Sequence, residues 1–301
     1  MKSFSFFKKT PTLVVHSGTF HADDIFASAT LNILLDNNLK IIRTRDPIII
    51  DKADYVADVG GIYEPDKERF DHHQKGGAGV RQNGIPYAAF GLVWKKYGVR
   101  ICGSQEVADL IDEKLVSPID ADDNGFSLGE FSGKIYPRSF QSFFYVHRPT
   151  WKEDSSMFDD SFYILIKDAE KFLRREIIQT KDFLESESAV EEAYQKSNDK
   201  RIIILDKQYP FQDVLIQHPE PLYVVIQKKS NTDWVVETVR VEAKKFANRK
   251  DLPQSWAGLH DEELVKATGV SDAVFCHNGR WLIVSKSKEG ALTLVQKALE
   301  N

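Results

Sequence analysis

Short apolar segments typical of β-strands alternate with helical patterns in the first part of the chain. TLVVH (residues 12–16) and ADYVADVGG (residues 53–61) are strand-like runs that end in turns. Between them, Ile25, Ala29 and Ile33 recur at helical spacing. Strands that alternate with helices form a mostly parallel sheet with helices on both faces, because each parallel crossover needs a long connection. The sequence therefore predicts an α/β fold.

The pattern changes twice after this region. From about residue 160, apolar residues recur at helical spacing with charged residues between them, which predicts one long helix. From residue 200 onwards, β-type runs such as RIIIL and LYVVIQ dominate, and a helical pattern closes the chain. We therefore predict a first α/β domain at residues 10–155, a connecting helix at 156–199 and a smaller α+β domain at 200–301.

Composition narrows the class of protein. The formal net charge of −5 argues against a surface that coats nucleic acid, although a single groove could still take one. Cys102 and Cys276 are far apart and lie in no CxxC spacing, which argues against a disulfide scaffold or a thiolate metal site. No secretory signal is evident, and no stretch approaches the roughly 18–20 apolar residues of a membrane span. We expect a cytoplasmic protein that does not engage a membrane.

Histidines and aspartates are concentrated near the predicted strand ends. Four of the eight histidines precede residue 74 and are interleaved with aspartates. The residues concerned are His16, His21, Asp23, Asp24, Asp58, Asp71, His72 and His73, followed by Asp120, Asp122 and Asp123 in IDADDNG. Ligands of α/β folds gather at the carboxyl ends of parallel strands, so several segments bring these groups to one sheet edge. Each residue alone has an ordinary explanation, such as a core histidine or a turn cap.

The chemistry of this donor set indicates metal binding. Imidazoles and carboxylates without thiolates suit Mn, Fe, Co, Ni or Zn better than Ca or Mg alone. The set is too large for one tetrahedral ion, but it fills two metal positions if one aspartate bridges them. Paired divalent ions of this kind serve hydrolytic phosphoryl transfer. Since no nucleophile motif such as GxSxG or Walker A competes, the sequence predicts hydrolysis of phosphate esters.

The order of the motifs carries a family resemblance. HSGTFHADD, ADVGG, FDHH and IDADDNG resemble the four motifs of the DHH phosphoesterase superfamily. Within it, the chain is most similar to the melanocyte-proliferating-gene-one family, through GTFHADD, RTRDP, ADVGGIYEP, RFDHHQ, DADDNG, SWAGL and KEGAL. These segments extend from near residue 14 to near residue 293. The resemblance implies that the first domain is a DHH-like metal-binding catalytic domain and that the smaller domain binds substrate.

The resemblance also implies a role for each matching residue. The implied metal ligands are His16 and His21 for the first ion, Asp23, His72 and Asp120 for the second, and Asp58 as the bridge between them. Asp71 resembles a partner that orients an imidazole through its other nitrogen. His73 resembles the histidine that faces the substrate phosphate and stabilises its charge. Asp71 and His73 are therefore the implied catalytic residues, while Asp24 is expected either to orient ligands or to cap the next helix.

The substrate contacts of the smaller domain are less defined. Its candidate element is FCHNGRW, with His277, Asn278, Gly279 and Arg280 as the predicted substrate-binding residues. An arginine such as Arg280 can grip a phosphate bidentately. The Gly-Gly-Gly-His element of many relatives is absent from this chain, so its contacts are not carried over.

These expectations combine into a two-metal-dependent phosphodiesterase, and the resemblance implies 3′→5′ exoribonuclease action. The expected cofactor is a pair of divalent ions, with Mn²⁺ preferred and Mg²⁺, Co²⁺ or Zn²⁺ as alternatives. The expected partner is RNA or a short oligonucleotide, and a homodimer is an open alternative. Two other functions compete: hydrolysis of nano-RNA, a dinucleotide or another small phosphoester, and an inactive metal-binding regulatory protein.

Overall fold

The chain forms two compact units. The computed structural model describes residues 9–127, 129, 138–242, 245 and 247–301. One unit is Met1–Thr180 and the other is Lys181–Asn301, and the boundary falls within a single long helix. The domain boundaries predicted above, which give this helix a segment of its own, stay a prediction.

The first unit contains a mostly parallel sheet. Its strands are β1 (Thr12–Val15), β2 (Lys40–Arg43), β3 (Tyr55–Ala57), β4 (Tyr63–Glu64) and β5 (Arg69–Phe70). Their order is β2-β1-β3-β5-β4, with β4 antiparallel to its neighbour and the others parallel. The carboxyl ends of β1, β3 and β5 therefore meet at one edge of the sheet.

Helices follow most of these strands. They are α1 (Ala22–Leu34), α2 (Pro47–Lys52), α3 (Ala89–Cys102), α4 (Gln105–Ile111), α5 (Ser117–Asp123), α6 (Phe140–Tyr145) and α7 (Met157–Lys196). A π-helical turn joins α4 to α5, and α7 is the helix in which the two units meet along the chain. The predicted long helix is thus present, and an α/β fold is confirmed.

The core of the first unit lies on both sides of its sheet. Val14 and Val56 pack with Ile50 of α2 on one face. Because side chains alternate along a strand, Leu13 and Val15 point to the other face, where α1 and α3 pack. Helix α1 is apolar over most of its surface and is buried as far as Ile33. This burial fixes the start of α1, and with it the loop that follows β1, beside the sheet edge.

The second unit is an α+β layer around a second sheet. Its elements are β6 (Ile202–Leu205), α8 (Gln212–Leu215), β7 (Tyr223–Gln227), β8 (Trp234–Thr238), α9 (Asp261–Thr268), β9 (Ala273–Cys276), β10 (Leu282–Ser285) and α10 (Lys288–Glu300). The strand order is β6-β7-β8-β10-β9. Helices α9 and α10 cover one face. The last turns of α7 and the residues around α8 pack over part of the other face.

None of the helices in the described ranges combines the length and the apolar composition that a membrane span requires.

Candidate metal centre

Three loops that follow neighbouring parallel strands deliver the central residues. His16 follows β1, Asp58 follows β3, and His72 lies two residues beyond the end of β5. Asp58 has a left-handed backbone conformation, with φ of 55°. Its backbone N–H donates to the carbonyl of Phe70 at 3.1 Å, which ties the turn to the neighbouring strand. The strand pairing therefore brings together three side chains that are far apart in sequence.

The Asp58 carboxylate lies at the centre of the cluster. Its Oδ2 is 3.1 Å from His16 Nε2, whereas its Oδ1 is 3.3 Å from His72 Nε2. Burial acts to raise the pKa of Asp58, but hydrogen bonds with His16 and His72 outweigh burial and lower the pKa below its ordinary value. Each carboxylate oxygen thus faces a different imidazole, as the bridging role predicted for Asp58 requires.

The start of α1 contributes a second group of ligand atoms. Asp24 Oδ1 accepts a hydrogen bond from the His21 backbone N–H at 2.9 Å, and Asp24 Oδ2 lies 3.0 Å from His16 Nε2. Asp24 therefore caps the helix and orients a histidine, so both roles weighed from the sequence are present. Burial acts to lower the pKa of His16, but Asp24 and Asp58 outweigh it and raise the pKa to about 10.

Helix α5 brings a different aspartate to the cluster from the one the sequence predicts. Asp120, the predicted ligand, accepts from the Gly91 backbone N–H at 3.0 Å and lies 2.8 Å from Arg81 Nη1. Burial raises the pKa of Asp120 to about 7, against the positive charge of Arg81. Asp123, one helical turn further on, has its Oδ2 3.3 Å from His72 Nε2. The structure therefore places Asp123, not Asp120, beside the central histidine.

Asp71 and His73 form a pair at the rim of the cluster. Asp71 Oδ1 is 2.7 Å from His73 Nδ1, and Asp71 Oδ2 accepts from the Gly61 backbone N–H. The hydrogen bond that His73 Nδ1 makes to Asp71 raises the pKa of His73, against the effect of its partial burial. The His73 side chain is 61% exposed. Asp71 thus orients the one exposed imidazole among the DHH residues, and His73 Nε2 is left to face outward.

The buried carboxylate of Asp23 indicates that the cluster fits a bound cation. The Asp23 side chain is fully buried, and its carboxylate lies against that of Asp123 and 4.0 Å from His72 Nε2. Burial, and then the negative charges of Asp58 and Asp123, raise the pKa of Asp23 well above its ordinary value. A buried carboxylate beside other carboxylates is costly unless a positive charge compensates it. The donor atoms therefore fit a divalent cation.

The candidate ligands form three overlapping sets. Three sets of residues have ligand atoms within 4.8 Å of one another: His16, His21 and Asp58; His21, Asp23 and Asp123; and Asp58, Asp71, His72 and His73. Asp58 and His21 each belong to two sets. An N/O donor set of this kind around a shared carboxylate is suited to a pair of first-row divalent ions.

Two features of this centre had little or no sequence signal. Arg81 lies in a glycine-containing loop with no recognisable motif, yet it is buried against Asp120 and also pairs with Asp112. Asp123 lies within the IDADDNG segment, but only the phase of α5 decides which of its aspartates faces the histidines.

The predicted substrate residues lie together in the turn between β9 and β10. His277 Nδ1 accepts from the Gly279 backbone N–H at 2.9 Å, and Asn278 lies beside Gly258. Arg280 Nη2 is 2.6 Å from Asp251 Oδ2, so this guanidinium already has a carboxylate partner. A phosphate would have to compete with Asp251 for Arg280, and the predicted substrate contact stays a prediction.

The fold and the site define an α/β protein with a candidate metal centre at the edge of its parallel sheet. The family model described as MYG1_exonuc, "Uncharacterised protein family (UPF0160)", matches residues 12–299. The chain belongs to this family.

Relatives are similar over nearly the full length of the chain. "MYG1 protein" of Dictyostelium discoideum is 31% identical, covering 96% of both chains. "MYG1 protein C27H6.8" of Caenorhabditis elegans is 29% identical, covering 97% of this chain and 96% of the relative. "MYG1 exonuclease" of Homo sapiens is 29% identical, covering 96% of this chain and 86% of the relative. Both units of the fold therefore belong to the shared sequence.

Proposed function

We propose that the protein is a two-metal-dependent phosphodiesterase that removes nucleotides from RNA in the 3′→5′ direction. The observation that carries the proposal is the fully buried Asp23 carboxylate, which lies against the Asp123 carboxylate and beside Asp58, with no lysine or arginine paired with it within the described residues. The name "exonuclease" of the human and bovine relatives supports a nucleic-acid substrate. The proposed ions are Mn²⁺, in keeping with the nitrogen and oxygen donors.

The residues that would hold the ions are His16, His21, Asp58, Asp23, His72 and Asp123. Two divalent ions at this position supply Lewis-acid activation of the phosphoryl group and lower the pKa of the attacking water. His73 has the substrate-facing role. Asp71 holds its Nδ1 and raises the pKa of His73, which favours the protonated imidazole, and an Nε2–H would donate a hydrogen bond to a non-bridging phosphate oxygen.

The test follows the ends of a short RNA. Purified protein with Mn²⁺ is incubated with 3′-labelled and 5′-labelled copies of one oligonucleotide. We expect the 3′ label to be released first as a mononucleotide, while the 5′ label passes through a ladder of shortening products. The variants Asp58→Asn and His72→Gln should lose on the order of 100-fold or more in rate, because each removes a metal ligand.

Matched variants outside the cluster serve as controls. Asp66→Asn and His260→Gln replace exposed residues of the same types and should leave the rate unchanged. Equal turnover in wild type, Asp58→Asn and His72→Gln would refute the two-metal mechanism. Early release of the 5′ label would refute the direction. A wild type that binds Mn²⁺ yet hydrolyses neither RNA, a cyclic dinucleotide nor pyrophosphate would favour a regulatory role instead.

A further inference from the structure

A cavity of about 660 Å³ opens in the second unit. Its wall includes Tyr209 and Phe211 from the segment before α8, Glu237 from β8, and Trp281, the residue just before β10. This volume lies within the usual range of roughly 300–1,000 Å³ for small-molecule sites. Gly279, from the turn predicted to bind substrate, also lines it.

Aromatic rings favour a planar ligand in this cavity. Trp281 keeps 38% of its surface exposed although it is a large apolar residue. Tyr209 is partly exposed, whereas Phe211 is buried and belongs to the core beneath. Stacking of a base on such a ring contributes about 1–3 kcal/mol and does not depend on which base it is. The rings therefore favour a flat heterocycle but do not distinguish one base from another.

Glu237 supplies the selective group. It lies on a central strand, where it pairs with Val224 of β7 and Leu282 of β10. Its carboxylate forms no hydrogen bond or ion pair within the described part of the chain. The polar neighbours are already engaged, since Gln212 bonds to backbone groups of β8 and its continuation, and Asn248 bonds to side chains on either side. Arg240 also lines the cavity and its positive charge acts on Glu237, but no hydrogen bond or ion pair joins Glu237 to a described residue, so both carboxylate oxygens are available to a ligand.

We propose that this cavity binds a guanine base, with Glu237 accepting two hydrogen bonds and Trp281 stacking on the ring. A carboxylate accepts but never donates, so it matches an edge with two adjacent donors. Guanine has such an edge in its N1–H and its exocyclic amine. Adenine and cytosine place an acceptor beside their amine, and uracil flanks its N–H with two carbonyls. Only guanine satisfies both oxygens of Glu237.

The surroundings of Glu237 strengthen this selectivity. Burial raises the pKa of Glu237 above its ordinary value, against the positive charges of Arg240 and Lys228. Because a partly dehydrated carboxylate has lost hydrogen bonds to water, a ligand with two donors binds it more tightly, and a ligand without them leaves it unpaired and binds more weakly. The expectation that the guanine base is part of a nucleotide rests on the proposed function.

Binding is measured on the full chain in EDTA, so that no hydrolysis intervenes. Calorimetric titrations with the four ribonucleoside monophosphates should show GMP binding at least about tenfold more tightly than AMP, CMP or UMP. Glu237→Gln, whose amide offers one acceptor and one donor, should abolish that preference. Trp281→Leu should weaken both purine nucleotides. Glu263→Gln, an exposed glutamate on α9, is the matched control and should bind GMP as wild type does.

Circular dichroism melts show whether Glu237→Gln is folded, and Glu237→Asp, with a shorter reach, replaces it if it is not. Equal affinity of wild type for GMP and AMP, a GMP preference retained without Glu237, or no GMP binding at millimolar concentration would each overturn the proposal. Hydrolysis of RNA without GMP binding would refute the guanine site alone. GMP binding without any hydrolysis would refute the proposed function alone.

Discussion

At the scale of single residues, Asp58 combines its proposed ligand role with a backbone role. Its φ of 55° is left-handed, a conformation that Asn and Asp tolerate better than other residues with a Cβ. In EDTA we expect Asp58→Ala to be less stable than Asp58→Asn by about 1 kcal/mol, because alanine has the greater left-handed penalty. Urea denaturation of the two variants measures the difference.

The same pair of substitutions at Asp66 is the control for this comparison. Asp66 is exposed and is absent from the residues with positive φ, so Asp66→Ala and Asp66→Asn should agree within about 0.5 kcal/mol. If Asp58→Ala proves as stable as Asp58→Asn, the turn after β3 relaxes out of the left-handed region, and the backbone does not hold the Asp58 side chain in place.

At the scale of secondary-structure elements, the packing of α3 against α5 sets the position of Asp123. A Cβ on Gly91 would lie 1.8 Å from Asp120 Oδ2 and 2.6 Å from Arg81 Nη2. An ordinary helical Gly→Ala change stabilises by roughly 0.5–1 kcal/mol. Here we expect Gly91→Ala to destabilise by about 1–3 kcal/mol, because it overpacks a buried ion pair. Thermal or urea unfolding shows whether Gly91→Ala lowers or raises the free energy of unfolding.

Metal affinity provides a second measurement on Gly91→Ala. If α5 is displaced, Asp123 moves away from His72, and Mn²⁺ should bind more weakly than to wild type. The double variant Gly91→Ala/Asp120→Ala, which removes the clashing carboxylate, should recover part of the stability lost by Gly91→Ala. A stabilising effect of Gly91→Ala would contradict the packing argument.

The site residues at the strand ends could be predicted from the sequence, whereas the one on α5 could not. His16, Asp58 and His72 were predictable because each follows a strand, and parallel strands end at a common edge. The choice between Asp120 and Asp123 was not, because it depends on the helix phase and on Arg81, whose partner lies on a distant element. The ion pair of Arg280 with Asp251 was not predictable for the same reason, since it forms only in the folded unit.

At the scale of the whole molecule, metal binding should stabilise one unit and not the other. All of the candidate ligands belong to Met1–Thr180, and none belongs to Lys181–Asn301. A ligand present at 100 times its Kd stabilises the state that binds it by about 2.7 kcal/mol. Hydrogen exchange with Mn²⁺ and with EDTA should therefore show slower exchange around β1, β3 and α5, with β7 and β10 unchanged. Equal protection of both sheets would contradict this localisation.

The stabilisation by Mn²⁺ should also depend on pH in a defined direction. In the metal-free protein the pKa of His16 is raised to about 10, so its imidazole holds a proton at neutral pH, and the pKa of His72 is also raised above its ordinary value. A histidine must be neutral to bind a metal, so metal binding releases protons and tightens as the pH rises. The shift in melting temperature caused by Mn²⁺ should therefore be larger at pH 8 than at pH 6. A shift that is equal at both pH values, or larger at pH 6, would show that these histidines do not bind the ion, whereas Asp58→Asn should abolish the shift at either pH.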